Sequence, residues 1–250
     1  MLSLKTKDWQ IDNIETILFD KDGTLIDLHY FWGKMSELRA QAIIEKYNLS
    51  PDKINKICLF LGYNTKSKKM IPDGITALYS RTKIIELFQE KLLSLNINTN
   101  KEELEMIFDN VSKDFYKNIQ TYTKPIETAT HFFKKIHSKG IKLGIVTSDS
   151  VESTNLTLKQ FGWEKYFDIA IGRESSLFAK ESGEPTKLAL QKLNAKPEST
   201  VMIGDAPMDY ISAKNAKINK TILVATGQIE KKDLLKISPY TIENLSEIIL

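Results

Sequence analysis

The stretch TILFDKDGTLID, residues 16–27, is the part of the sequence that decides the fold. It opens with four apolar or β-branched residues and runs directly into two aspartates, Asp20 and Asp22, which flank a lysine and precede a Gly-Thr pair. A short apolar run that stops at polar residues and glycine is typical of a buried strand followed by a turn. We therefore expect two carboxylates at the carboxyl end of a strand.

The composition places the chain among ordinary globular proteins. It has 250 residues, 42% of them apolar and 27% charged, which is long enough to bury a sizeable core. The net charge of +3 is small and its positive residues are scattered, so we expect no nucleic-acid partner. No run of about 18 apolar residues exists, so no membrane span is expected. The N-terminus lacks the apolar core of a signal peptide, which favours the cytoplasm, and the single cysteine excludes a disulfide within the chain.

Five segments share the pattern of a buried strand: residues 15–19, 142–147, 167–172, 200–204 and 221–226. Between the last four lie segments with the apolar spacing of helices, including residues 151–161, 185–193 and 208–216. Strands that alternate with helices predict a doubly wound parallel sheet, covered by helices on both faces.

The long stretch between the first two strands has helical patterns instead. Residues 31–47 and 75–95 read as helices, and a further apolar stripe follows Asn100 and Glu103, which are spaced as a capping box. The stripe consists of Leu104, Ile107, Phe108, Val111 and Phe115. We predict a core made of residues 1–27 and 123–250, and an all-helical domain, residues 28–122, inserted as a cap after the first strand.

Polar residues follow several of the predicted strands. Thr147 ends the second strand, and Asp205 and Asp209 follow the fourth, as Asp20 and Asp22 follow the first. Ligands of open parallel sheets bind beyond the carboxyl ends of the strands. Carboxylates that meet there repel one another unless a cation lies among them. Oxygen ligands without a histidine or cysteine cluster favour Mg²⁺, and Mg²⁺ with open positions suits phosphoryl transfer.

Three motifs resemble those of the haloacid dehalogenase-like (HAD) superfamily. DKDGTL at residues 20–25 resembles its first motif, IVTS at 145–148 its second, and GDAPMD at 204–209 its fourth. The helical insertion is similar to the C1 cap of the phosphoglycolate phosphatase-like branch. The resemblance implies a Rossmann-like HAD core and a Mg²⁺-dependent phosphatase. Such an enzyme hydrolyses a small phosphorylated metabolite, with phosphoglycolate one candidate, through an aspartyl-phosphate intermediate.

The resemblance also implies residue roles. Asp20 would be the nucleophile, and Asp22 the general acid that protonates the leaving alcohol and then the base that activates water. Gly23 would let the backbone turn and approach the ligand closely. Thr147 would hold a phosphate oxygen. Mg²⁺ would be held by the side chains of Asp20 and Asp205 and by the backbone carbonyl of Asp22.

Two positions of the pattern leave alternatives open. Asp209 would support the metal or its waters, or would cap the helix that it opens. The third motif needs a lysine that stabilises the phosphate, and Lys180 is favoured although Glu181 stands where the family has proline. Lys187 is the alternative. Lys21 is expected to point away from the metal, as a structural or solvated lysine.

Two other functions compete with the phosphatase. A phosphomutase of the same superfamily would use the same aspartyl-phosphate, and a non-catalytic protein could bind a phosphorylated ligand on the same fold. Loss of the nucleophile would be the mark of a non-catalytic descendant. Because Asp20, Asp22, Thr147 and Asp205 are all present, we rank the non-catalytic function below catalysis.

Overall fold

The structure is a computed structural model that describes residues 2–250. The chain forms two compact units: the described part of Met1–Asp27 together with Lys124–Leu250, and the insertion Leu28–Thr123. The strands in chain order are β1 (Leu2–Lys5), β2 (Gln10–Ile14), β3 (Thr16–Phe19), β4 (Tyr63–Asn64), β5 (Lys69–Met70), β6 (Lys142–Val146), β7 (Ile169–Ile171), β8 (Thr200–Gly204), β9 (Thr221–Val224) and β10 (Thr241–Ile242). The α-helices are α1 (Leu28–Lys46), α2 (Ile54–Phe60), α3 (Ile75–Leu78), α4 (Arg81–Leu93), α5 (Lys101–Lys117), α6 (Ile119–Tyr122), α7 (Glu127–His137), α8 (Val151–Phe161), α9 (Glu184–Leu193), α10 (Pro207–Asn215) and α11 (Lys231–Leu234).

The first unit is built on a six-stranded parallel sheet with the strand order β10-β9-β8-β3-β6-β7. Strand β3 lies inside the sheet, where Phe19 is level with Ile145 of β6 and Ile203 of β8. All four residues of β3 are buried, which explains why its sequence is continuously apolar or β-branched rather than alternating. The predicted doubly wound parallel sheet is confirmed.

Helices cover both faces of this sheet. Leu18 packs into an apolar cluster with residues of α9 and α10, including Ala189 and Ala213. Phe19 points to the other face, where its ring makes an edge contact with Phe132 of α7 at a centroid distance of 6.2 Å. Successive side chains of a strand face opposite ways, so this pair fixes which helices lie on which face.

The sheet differs from the prediction at its margins. Strand β10 adds a sixth strand that was not predicted, and β1 and β2 form a separate antiparallel hairpin. Strands β7 and β9 are shorter than predicted: β7 covers only residues 169–171, and β9 ends at Val224 rather than at residue 226. A strand of two residues is too short to show any hydrophobic period, which explains why β10 was missed.

The second unit, Leu28–Thr123, is mainly helical and has its own apolar core, to which α1, α2, α4 and α5 contribute. The helix predicted over residues 75–95 is two helices, because Tyr79 is extended and the side chain of Ser80 caps α4. Asn100 caps α5 as expected, accepting a 2.8 Å hydrogen bond from the Glu103 amide. The unit also contains the short antiparallel pair β4 and β5, which was not predicted.

Within residues 2–250, no helix has the length and apolar character needed to cross a bilayer.

Candidate active site

Three carboxylates converge at the carboxyl ends of β3 and β8. Asp20 follows β3, and its amide donates a 2.8 Å hydrogen bond to the carbonyl of Ile203, which holds the residue against β8. Asp205 follows β8, and Asp209 lies in the first turn of α10. One carboxylate oxygen from each of the three lies within 4.8 Å of the other two. All three residues are buried, so the topology brings together acids that are far apart in the sequence.

Lys180 is the lysine that reaches this group. Its ammonium lies 2.6 Å from Asp20 Oδ1 and 2.6 Å from Asp209 Oδ1, and the side chain is buried. Lys187 lies elsewhere: it is paired with Glu184, and nearly half of its side chain is exposed. The structure therefore places Lys180, and not Lys187, beside Asp20.

The short turn that carries Lys180 is fixed against α10. The turn covers Lys180–Ser182 and is followed by Gly183 at φ +81°. A Cβ atom on Gly183 would lie 2.7 Å from Cβ of Asn215. Asn215 in turn donates a 2.7 Å hydrogen bond from its side chain to the carbonyl of Glu181. Glu181 itself is exposed, so the residue found in place of the family's proline sends its charge to the surface.

Asp22 lies outside the group of three and belongs to a second one. Lys21 donates a 2.6 Å hydrogen bond to Asp22 Oδ1, and its ammonium lies 3.0 Å from Asp149 Oδ2. The Lys21 side chain is 1% exposed. It is thus a buried structural lysine rather than a solvated one, and its partners are two acids that follow different strands.

Thr147 directly follows β6, which lies next to β3 in the sheet. Its amide donates to the carbonyl of Ile171 at 2.9 Å, and its hydroxyl oxygen accepts a 3.1 Å hydrogen bond from the amide of Asp149. A hydroxyl that accepts from the backbone still has its own hydrogen to donate. The arrangement suits donation to a phosphate oxygen.

Gly23 and Gly227 form the walls around Asp205. Gly23 has φ +87°, and a Cβ atom on it would lie 2.5 Å from Asp205 Oδ2. A Cβ atom on Gly227, in the loop after β9, would clash with the same oxygen. The hydroxyl of Thr226 donates a 2.5 Å hydrogen bond to the carbonyl of Gly23, which ties the two loops together. Glycine at both positions lets the backbone approach this carboxylate.

Burial and crowding raise the pKa values of two acids in the first group. Burial, reinforced by the charges of Asp20 and Asp209, raises the pKa of Asp205 well above its ordinary value. Burial also raises the pKa of Asp209 to about 6, although the neighbouring Lys180 opposes the rise. The pKa of Lys180 is itself raised: burial lowers it, but Asp20 and Asp209 outweigh burial. This lysine is therefore charged.

The pKa values of Asp22 and Asp149, the two acids beside Lys21, are shifted in opposite directions. Burial raises the pKa of Asp22 to about 6, against the opposing charge of Lys21. Burial also acts on Asp149, but the charge of Lys21 and the hydrogen bond from the Ser150 amide help to outweigh it, and the pKa of that carboxyl is lowered. When the environments of two acids shift their pKa values in opposite directions, one acid stays ionised while the other can hold a proton. The Asp22 carboxyl therefore keeps its proton to a higher pH than the Asp149 carboxyl does.

The donor set fits a divalent magnesium ion. Five carboxylates share this end of the sheet with two buried lysines, so negative charge exceeds positive charge when the acids are ionised. They are Asp20, Asp22, Asp149, Asp205 and Asp209. The grouped atoms of Asp20, Asp205 and Asp209 are all carboxylate oxygens, the ligands that Mg²⁺ prefers.

Four residues at this end of the sheet were not among the predicted site residues. Lys21 and Asp149 face each other across two strand ends, and Thr226 and Gly227 approach from the loop after β9. The position of Asp149 directly after a predicted strand was a signal for it. Nothing in the local sequence pairs Thr226 with Gly23, because that contact depends on how the strands are ordered.

Comparison with known proteins agrees with this architecture. The chain is 27% identical over 242 residues to the pyrophosphatase PpaX of Oceanobacillus iheyensis, with 95% of this chain and 96% of the relative covered. It is 26% identical over 239 residues to the phosphoglycolate phosphatase of Aquifex aeolicus, with 94% and 95% covered.

Solved structures share the fold. A structure from Haemophilus somnus, described as a predicted phosphoglycolate phosphatase, superposes with a TM-score of 0.72 at 15% identity, covering 95% of this chain and 97% of that one. A candidate β-phosphoglucomutase from Thermotoga maritima gives a TM-score of 0.69 at 21% identity, covering 94% and 96%. The sequence profile of the haloacid dehalogenase-like hydrolases matches residues 14–217. The chain belongs to the haloacid dehalogenase-like hydrolase family, and it is a phosphatase.

Proposed function

We propose that this phosphatase uses Mg²⁺ and hydrolyses a small phosphomonoester through a phosphorylated Asp20. The observation that carries the proposal is the pairing of Asp20 with a buried, charged lysine and with a second carboxylate at metal-binding distance. Asp22 lies in a separate group, where burial and the charges of Asp149 and Asp20 raise its pKa to about 6 against the charge of Lys21. One carboxylate thus serves as nucleophile and the other as proton carrier.

The reaction has two transfers. In the first, an oxygen of Asp20 bonds to phosphorus while the ester P–O bond breaks, and the Asp22 carboxyl gives its proton to the departing oxygen. In the second, Asp22 takes a proton from the attacking water. The new bond between water oxygen and phosphorus forms as the bond between phosphorus and Asp20 breaks, which regenerates the Asp20 carboxylate and releases phosphate.

The remaining residues bind and orient. Lys180 compensates charge at Asp20, so that an anionic phosphate can approach an anionic nucleophile. Thr147 donates its hydroxyl hydrogen to a phosphate oxygen. Asp20 and Asp205 would hold Mg²⁺ with the backbone carbonyl of Asp22, and Asp209 would support them; the ion supplies the charge that neutralises the transferring phosphoryl group.

The relatives suggest which substrates to test first. Their names indicate pyrophosphate and phosphoglycolate. Both are small anions in which a second negative group lies close to the phosphate that would be transferred. We propose that the substrate is a phosphomonoester with such a second negative group, and phosphoglycolate is the candidate that the resemblance also suggests.

The test is a substrate panel with purified protein and Mg²⁺. We expect hydrolysis of p-nitrophenyl phosphate that requires Mg²⁺ and is abolished in Asp20→Asn, and a higher kcat/KM for phosphoglycolate or pyrophosphate than for sugar phosphates. Conversion of glucose 1-phosphate to glucose 6-phosphate without net release of phosphate would favour the mutase instead. Binding of phosphorylated ligands with no turnover across the panel would contradict catalysis.

A further inference from the structure

The residue between the two motif aspartates has an unusual environment. Lys21 is 1% exposed, yet it carries a charge into the end of the sheet, where it donates a 2.6 Å hydrogen bond to Asp22 and pairs with Asp149 at 3.0 Å. Its ammonium thus joins Asp22, which follows β3, to Asp149, which follows β6.

Asp149 is a fixed anchor for this lysine. Its Oδ1 accepts a 2.7 Å hydrogen bond from the amide of Ser150, and its own amide donates to Thr147 Oγ1 at 3.1 Å. Its carbonyl accepts a 2.9 Å hydrogen bond from the amide of Arg173. Gly172 packs so closely that a Cβ atom there would lie 2.7 Å from the Asp149 carbonyl oxygen. Backbone contacts from two loops thus hold Asp149 in place.

Asp22, by contrast, directly precedes the turn at Gly23, and its carboxylate is held by Lys21. Its neighbours in the turn bond to one another, with the Gly23 amide donating to the Ile26 carbonyl at 2.8 Å. A short carboxylate side chain on such a turn has several rotamers, and an ion pair to a fixed partner selects one of them. The chain of contacts runs from Asp149 through Lys21 to the Asp22 carboxylate.

We propose that Lys21 and Asp149 are positioning residues that hold the Asp22 carboxyl in the orientation from which it protonates the leaving oxygen. The inference rests on the proposed function, since it assigns a purpose to Asp22. Neither residue touches the phosphate in this account. Their contribution is confined to the step in which the Asp22 proton moves to the ester oxygen as the P–O bond breaks.

Comparing two esters with different leaving groups distinguishes a role in proton transfer from a merely structural role. Phenethyl phosphate releases an alkoxide unless a proton is supplied, whereas 2,4-dinitrophenyl phosphate releases a stable anion that needs none. The two esters are similar in size and both are aromatic. We compare kcat/KM for both, because this quantity reports the first phosphoryl transfer and is insensitive to the later hydrolysis of the intermediate.

The variants are chosen so that folding does not decide the result. Lys21→Met alone would leave the buried Asp149 carboxylate with only the more distant Arg173 guanidinium, 3.9 Å away. It is therefore combined with Asp149→Asn, which removes both charges and keeps the oxygen that Ser150 requires. Lys21→Arg is the conservative variant, since a guanidinium can still reach both acids. Asp22→Asn is the reference for complete loss of the proton carrier. Circular dichroism and thermal melting establish that each variant is folded.

We expect the double variant to lose about 100-fold or more in kcat/KM for phenethyl phosphate, because general acid catalysis contributes about 100-fold to 10,000-fold, and less than about tenfold for the dinitrophenyl ester. Asp22→Asn should show the same preference more strongly, and Lys21→Arg should recover much of the loss. Equal losses on both esters, or no loss on either, would overturn the positioning role while leaving the phosphatase intact. Failure of the wild type to hydrolyse either ester would overturn the proposed function, and the positioning role with it.

Discussion

The acids at this site fall into two groups, each centred on a buried lysine. Lys180 lies between Asp20 and Asp209, and Lys21 lies between Asp22 and Asp149. Separate partners would allow the proposed nucleophile, Asp20, and the proposed proton carrier, Asp22, to differ in protonation although only one residue lies between them in the sequence. In this proposal the different roles of the two aspartates come from their different neighbours.

The two candidate lysines of the third motif can be separated by substitution. We expect Lys180→Met to lower kcat/KM on p-nitrophenyl phosphate by about 100-fold or more, since it removes a positive charge from beside the buried Asp20, the proposed nucleophile. Lys187→Met is the matched control, because Lys187 pairs with Glu184 on the surface. It should retain nearly the wild-type rate. Similar losses in both variants would contradict the placement of Lys180 beside Asp20.

The individual motif residues could be predicted from the sequence, but the side chains that they contact in the fold could not. Asp20, Asp22 and Asp205 follow apolar runs and are visible in the sequence alone. Alternation along the strand also predicted that Lys21 points away from the metal. Its burial against Asp149 was not predictable, because that contact requires β3 and β6 to be neighbours, and neighbouring strands in the sheet are far apart in the chain.

At the scale of elements, the loops that follow the strands shape the site. The loop after β9 brings Gly227 against Asp205 and Thr226 against Gly23, and thus closes the side of the site opposite β6 in the strand order. The sequence prediction ran the strand through residue 226 because the apolar pattern continues to Ala225. The backbone leaves the sheet after Val224, which frees the next residues to reach the neighbouring loop.

Gly227→Ala tests this loop. The added methyl group would collide with the Asp205 carboxylate, so we expect weaker Mg²⁺ activation, with the half-saturating Mg²⁺ concentration raised roughly tenfold or more, which is about 1.4 kcal/mol. Gly162→Ala is the control: its φ is +63°, so it carries backbone strain, but a Cβ atom there meets nothing within 4 Å. It should lower the melting temperature without changing the Mg²⁺ dependence. Unaltered Mg²⁺ activation in Gly227→Ala would argue against close packing of this loop on Asp205.

Element types were predictable where the apolar pattern was long enough. The buried strands of the sheet and the capped helix α5 were found because each has a continuous or periodic signal. The division of residues 75–95 at Tyr79 was missed, since the apolar spacing continues across it and only the backbone conformation reveals the break. The pairs β1–β2 and β4–β5 were missed because hairpins depend on turn geometry as much as on side-chain pattern.

At the scale of the whole molecule, the buried carboxyl groups of the site make the free energy of unfolding depend on pH. A carboxyl whose pKa is higher in the folded chain than in the unfolded chain stabilises the fold while it is protonated, and this contribution is lost as the pH rises through the folded pKa. Asp22 and Asp209, with pKa values raised to about 6, and Asp205, raised further, all act in this direction. Asp149 has a lowered pKa, so its ionised carboxylate stabilises the fold. This contribution is lost as the pH falls through the folded pKa, which lies below its ordinary value.

We therefore expect Mg²⁺ to stabilise the protein more at about pH 7.5 than at about pH 5, because the raised pKa values of Asp205 and Asp209 favour protonation at the lower pH, where the protons compete with the ion. With Mg²⁺ at about 100 times its Kd, the added stability would be about 2.7 kcal/mol. Thermal melting with and without Mg²⁺ across this range measures the effect. Asp205→Asn is the matched variant: in EDTA at the higher pH it should melt no lower than the wild type, and it should lose the response to Mg²⁺. A Mg²⁺ response that is independent of pH and kept by Asp205→Asn would place the ion elsewhere.

The most direct test of the central claim is to identify the residue that carries the phosphoryl group. Enzyme that is turning over p-nitrophenyl phosphate with Mg²⁺ is quenched in acid, digested and examined by mass spectrometry. We predict that the peptide containing Asp20 gains the mass of one phosphoryl group, that hydroxylamine removes it, and that Asp20→Asn neither gains it nor hydrolyses the ester. Turnover that persists in Asp20→Asn, or a phosphoryl group found on another residue, would contradict the account.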